Sequence, residues 1–205
     1  MATTASLIER GPEPGPELYR LTASQVAKMV ETGILPGSES VELLDGVLWT
    51  MTKGELHNAI VDVLGELLRA RMPPGYRVRE EESTSADDYS LPEPDLAIFL
   101  GGPFDFLPDP APIGKAALVI EVNLNSPWDH DRKRAMYAQA GVASYWVVDV
   151  ASRQVVVYRD PAGSTFDAHA TFRGGDAIPL SIDGQLLDSI EVDAVFPPLS
   201  KPDAH

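Results

Sequence analysis

The sequence predicts an α/β domain built on a mixed β-sheet flanked by helices, and three observations carry that expectation. Short apolar runs with strand-like composition interleave with stretches of helical period. Turn signals such as Asp45-Gly46 recur between strand-like runs, so hairpins are frequent and a purely parallel sheet is disfavoured. A length of 205 residues with 44% hydrophobic content suits one domain with a sizeable core.

Residues 1–20 are rich in Pro, Gly and Glu without periodicity and read as a flexible tail. The folded domain is expected over 21–199, with a short C-terminal tail over 200–205. "LTASQVAKMVETG" predicts a short helix with Thr22 as N-cap and Gly33 at its stop. "VELLDGVLWTM" predicts two strands around Asp45-Gly46. Over 55–71 the pattern places Leu56, Ile60, Val63, Leu64, Leu67 and Leu68 on one helical stripe, ended by Pro73-Pro74-Gly75. "YRVREEEST" alternates like a strand, and "DLAIFL" follows as another. A Pro/Gly loop, "GGPFDFLPDPAPIG", precedes the strand "AALVIEVNL". A helix over 127–140 then stops before Gly141, and the strands "SYWVVDV" and "RQVVVYRD" follow. The remainder, through Phe196, reads as shorter strand-like pieces with turns at Gly163, Gly174-Gly175 and Asp183-Gly184. No internal repeat is present.

Charge and composition narrow the function. The chain carries 16 Lys and Arg against 31 Asp and Glu, a net charge of −15. That excess favours solubility and opposes nonspecific adhesion to nucleic acid or membrane, so a polyanionic partner needs a local basic patch. There is no cysteine, which excludes disulfides and thiolate metal sites. No signal core and no membrane-spanning apolar run are present, and a cytoplasmic protein is expected.

The chemistry concentrates in one strand and its surroundings. In "LVIEVNL", side chains alternate, so Glu121 projects from an otherwise apolar strand on the face opposite Ile120 and Val122. An unpaired buried carboxylate is costly unless it is neutralised, paired with a cation or bound to a metal. Asp95 poses the same problem at the head of "DLAIFL". Two carboxylates on neighbouring strands can hold a divalent cation, with water and a substrate phosphate in the remaining positions, an arrangement typical of Mg²⁺. On the following helix, Asp129, Lys133 and Tyr137 recur at i, i+4 and i+8 on one face. A lysine beside a metal-bound water can orient it and stabilise the charge that develops in phosphoryl transfer.

Together, "EPD" at 93–95, "IEV" at 120–122, the Asp129/Lys133/Tyr137 spacing and "AGVASYWVVD" at 140–149 resemble the Uma-two family of restriction endonuclease-like proteins, in the PD-(D/E)XK nuclease superfamily. The upstream "VELLDGVLW" and the helix carrying His57 also fit its opening, so the resemblance covers about residues 21–196. It implies a restriction-endonuclease-like fold and Mg²⁺- or Mn²⁺-dependent endonucleolytic hydrolysis of DNA, with a homodimer as the expected assembly. It makes Asp95 and Glu121 metal ligands, with the Val122 carbonyl completing the site. Lys133 becomes the catalytic lysine, moved from the sheet to the following helix, because the position two after Glu121 is Asn123. Glu42, His57, Asp129 and Tyr137 are carried as additional site members.

Each assignment has a structural rival. Asp95 can cap a turn, and Glu121 can pair with Lys133 without any metal. The Asp129/Lys133/Tyr137 spacing suits an ordinary helix ion pair beside a packed aromatic, and His57 suits a surface or hydrogen-bonded histidine. Tyr145-Trp146 suits sheet packing better than base stacking. Arg132, Lys133 and Arg134, with Arg69, Arg71, Arg77 and Arg79, form either a phosphate-facing patch or a solvated rim. The rival functions are a non-catalytic interaction or structural domain that retains the fold, and a metal-dependent hydrolase of a smaller phosphorylated substrate.

Overall fold

The computed structural model describes residues 18–35, 41–50, 53–124 and 127–198, and over 127–130 the backbone alone. Most of the expected N-terminal tail and all of the C-terminal one lie outside these residues. The first helix, α1 (Ala23–Glu31), begins with Thr22 and Gln25 capping each other reciprocally, which satisfies two donors of its first turn. Gly33 follows its end at φ 72°. Strands β1 (Val41–Leu44) and β2 (Val47–Thr50) form the expected hairpin. Asp45 at φ 50° and Gly46 at φ 77° give the two successive left-handed residues that a tight two-residue turn needs.

Helix α2 (Glu55–Arg69) lies where the sequence places a helix, but its buried face is rotated. The buried residues are His57, Ile60, Val61, Leu64, Gly65 and Leu68, while Leu56 is 43% and Val63 37% exposed. A Cβ at Gly65 would run into the Glu80 carboxylate, so glycine leaves room for that side chain between the helix and the sheet edge. The expected single strand over 76–84 is broken into β3 (Tyr76–Glu80) and β4 (Thr84–Ser85). Glu81 takes φ 50° between them and turns the chain out of the sheet.

The chain continues through β5 (Leu96–Leu100), β6 (Ala111–Pro112), β7 (Ala116–Asn123) and α3 (Pro127–Gln139). Then come β8 (Ser144–Asp149), β9 (Gln154–Ala162), β10 (Thr165–Arg173), β11 (Ala177–Ile182), β12 (Gln185–Glu191) and α4 (Val192–Val195). The remainder after β9 is not made only of short pieces, because β10 is nine residues long and pairs with β9 around Gly163. A six-stranded mixed sheet runs β10-β9-β8-β7-β5-β3. Within it only β7 and β8 pair in parallel, because α3 carries the chain back between them; its other four pairings are antiparallel.

Two apolar layers sandwich the sheet. On one face Leu96, Ile98, Leu118, Ile120, Trp146 and Val148 pack against Ile60, Leu64 and Leu68 of α2 and against the β11–β12 hairpin and α4. On the other, Ala97, Phe99, Val119, Tyr145 and Val147 pack against Met136 and Tyr137 of α3. Strand β7 is covered on both sides, which explains its nearly continuous apolar sequence. Among the described residues, no helix is long and apolar enough to cross a membrane.

Candidate functional site

The register of β5 against β7 pairs Leu96 with Ile120, which sets Asp95 beside Glu121. Glu121 shares the α3 face with Val119, while Asp95 immediately precedes β5 at the end of the sheet, where His57 of α2 reaches it. Asp95 is buried, and both of its carboxylate oxygens are engaged. Oδ2 accepts the Val122 backbone N–H at 2.7 Å, while Oδ1 lies 3.0 Å from His57 Nε2 and 3.6 Å from Lys53 Nζ. Val122 thus reaches Asp95 through its amide. His57 arrives from the first turn of α2 and is buried against Asp95, so of the two structural readings the hydrogen-bonded histidine fits and the surface one does not.

Glu121 belongs to a second network. Tyr137 Oη donates to Oε1 at 2.6 Å and Lys133 Nζ to Oε2 at 3.2 Å. Lys133 also donates to Glu42 Oε1 at 2.9 Å, an oxygen that accepts the Glu93 backbone N–H at 2.9 Å. Glu42 Oε2 is buried without a hydrogen-bond partner among the described residues. The i, i+4 spacing on α3 does bring Lys133 and Tyr137 over Glu121 together; the Asp129 side chain lies outside the described residues. Sequence reasoning missed Lys53 and Glu81, whose Nζ and Oε1 are 3.1 Å apart at the edge of the Asp95 network.

The electrostatics follow from crowding acids at a buried face. Burial pushes the Glu121 carboxyl up to about 8, with the Asp95 and Glu42 charges adding to it and Lys133 and Tyr137 opposing. Burial likewise raises Glu93, helped by the charge of Glu42. Burial and the Glu121 charge hold Tyr137 well above its ordinary value, so it remains a donor. For Asp95, burial is outweighed by the His57 hydrogen bond and the surrounding cations, and its carboxyl is lowered. His57 is raised, because its Asp95 contacts and Asn58 outweigh burial.

The donor set fits a divalent cation. His57, Glu81 and Asp95 each offer a ligand atom, all within 4.8 Å of one another. Two carboxylates with one imidazole suit Mn²⁺ as well as Mg²⁺. The expected basic patch, by contrast, is largely neutralised in place. Arg69 pairs with Glu80, Arg71 with Asp188, Arg79 with Glu82, Arg132 with Asp45 and Arg134 with Asp131. Tyr145 and Trp146 are fully buried in the sheet packing, with no face open to a base.

Comparison with known proteins agrees with this architecture. The sequence profile of the Uma2 family, described as "Putative restriction endonuclease", matches residues 29–187. The crystal structure of "a putative nuclease belonging to DUF820" from Anabaena variabilis superposes with a TM-score of 0.67 at 18% identity. The match covers 86% of this chain and 97% of that one, and at such identity it shows a shared fold. No curated protein matches the sequence.

Proposed function

The chain belongs to the Uma2 family, and on that premise we propose that it hydrolyses DNA phosphodiester bonds with a divalent cation, Mg²⁺ or Mn²⁺, at the Asp95–Glu121 end of β5 and β7. The observation that carries this reading is the crowding of carboxyl groups at this end of the sheet. Glu42, Asp95 and Glu121 are buried, Glu93 is half-buried and Glu81 exposed, and the ammonium groups set against them are those of Lys53 and Lys133. Burial holds the Glu121 carboxyl in its protonated form, and a multivalent cation would offset the charge that its ionisation adds.

Asp95 and Glu121 are the carboxylates proposed to hold the ion, with His57 and Glu81 as further donors and the Val122 carbonyl as a backbone one. When bound, the cation supplies an acidified water and a polarised phosphate. The protein's own groups do the rest. The Val122 amide and His57 fix the orientation of Asp95, while Tyr137 and Lys133 fix that of Glu121. Lys133 supplies the positive charge nearest Glu121, positions the attacking water and offsets the negative charge that grows on the phosphate. Assembly as a cytoplasmic homodimer would let two such sites address two strands.

The ion pairs that tie up most of the neighbouring arginines favour a second reading, hydrolysis of a smaller phosphorylated substrate by the same groups. Incubation with supercoiled plasmid and with bis(p-nitrophenyl) phosphate, each with Mg²⁺, Mn²⁺ or EDTA, tests both. Metal-dependent nicking that is lost in Asp95→Asn supports the nuclease. Turnover of the small diester alone supports the second reading, and no turnover of either leaves the non-catalytic domain.

A further inference from the structure

Two lysines enter this site, and they are differently placed. Lys133 is 2% exposed and locked between Glu42 and Glu121. Lys53, on the link between β2 and α2, is 16% exposed. Its ammonium lies 3.1 Å from Glu81 Oε1 and 3.6 Å from Asp95 Oδ1. Glu81 and Asp95, with His57, are the residues whose ligand atoms converge within 4.8 Å. Lys53 therefore sits on carboxylates that a divalent cation would take.

We propose that Lys53 is an exchangeable counter-ion: its ammonium holds the Asp95 and Glu81 carboxylates until a divalent cation displaces it, and the freed charge then binds a phosphate oxygen of the substrate strand. This rests on the metal-dependent nuclease reading above. An ammonium and a divalent ion cannot share the same oxygens without strong like-charge repulsion, so loading the metal expels the lysine. Once expelled, it needs another anion. Glu42 and Glu121 already share the ammonium of Lys133, and the neighbouring Arg79 and Arg132 pair with Glu82 and Asp45. Lys53 has a flexible stem that reaches solvent, which makes it the site's adaptable cation for phosphate. Metal and nucleic acid then bind with positive coupling, because each stabilises the arrangement the other requires.

Calorimetric titration of Mn²⁺ in the absence of DNA tests the exchange. Lys53→Gln should bind Mn²⁺ roughly tenfold more tightly than wild type, and Lys53→Arg should stay close to wild type because the competing charge is retained. Equal or weaker affinity in Lys53→Gln overturns the proposal and leaves the nuclease reading standing. If neither the wild type nor Lys53→Gln binds Mn²⁺, both fall. Anisotropy of a labelled duplex with Ca²⁺ present tests the phosphate contact. Lys53→Gln should reduce the steepness of the log–log salt dependence by about one. An unchanged salt dependence overturns that half. Melting in EDTA provides the control for folding, and a wild-type melting temperature is expected of Lys53→Arg.

Discussion

Glu121 sets the pH behaviour of the metal-free protein. Its carboxyl is pushed up to about 8 in the fold, against 4.5 ordinarily. Between those values the folded chain holds a proton that the unfolded chain has released, so stability falls as pH rises through that window. His57 acts in the same direction: its raised pKa gives stability that is present below its unfolded value and lost as pH rises through the folded one. Melting in EDTA should therefore occur at lower temperature at about pH 9 than at about pH 6, and Glu121→Gln should flatten most of the difference. A wild-type melting temperature that rises over this range would contradict the Glu121 assignment. Lys133 is held as firmly as any residue of the site. Removing its ammonium leaves Glu42 and Glu121 buried and facing each other, and Lys133→Ala should cost about 3–5 kcal/mol in urea denaturation. A loss below about 1 kcal/mol would mean that the two glutamates do not depend on it.

At the level of elements, Leu64 is the clearest test of how α2 covers the sheet. It is fully buried, and Leu64→Ala should cost about 2–5 kcal/mol, while Leu56→Ala on the exposed flank should stay within about 0.5 kcal/mol. Comparable losses at both positions would contradict the rotated face. That rotation was not legible in the sequence: Leu56 and Val63 are as apolar as Ile60 and Leu64, and period alone cannot say that His57 and Gly65 share the buried side. The α1 cap and the Asp45-Gly46 turn were legible because each is set by local chemistry. In the site, strand alternation brought Asp95 and Glu121 into view, and helical spacing did the same for Lys133 and Tyr137. Lys53 and Glu81 carried no such signal. Glu81 sits in a run of three glutamates, and only its left-handed backbone separates it from β3.

Across the whole molecule, charge decides how nucleic acid can bind. The net charge of −15 repels a polyanion at long range, and five of the seven basic residues in the expected patch pair with surface carboxylates. A sixth, Lys133, is buried with Glu42 and Glu121, which leaves exposed Arg77 outside these pairs. With Arg77 and a released Lys53 as the available contacts, the log–log salt slope of duplex binding should be shallow, about −2. A slope as steep as about −6 would show instead that the surface ion pairs open to meet phosphates. The claim on which all of this depends is that the carboxylates of β5 and β7 hold a divalent cation. An anomalous difference map from crystals soaked in MnCl₂ tests it most directly. The predicted result is a peak about 2.0–2.2 Å from an Asp95 carboxylate oxygen, with Lys53 moved away from it. A map with Mn²⁺ only on exposed surface carboxylates, and Lys53 still resting on Asp95 and Glu81, would contradict it.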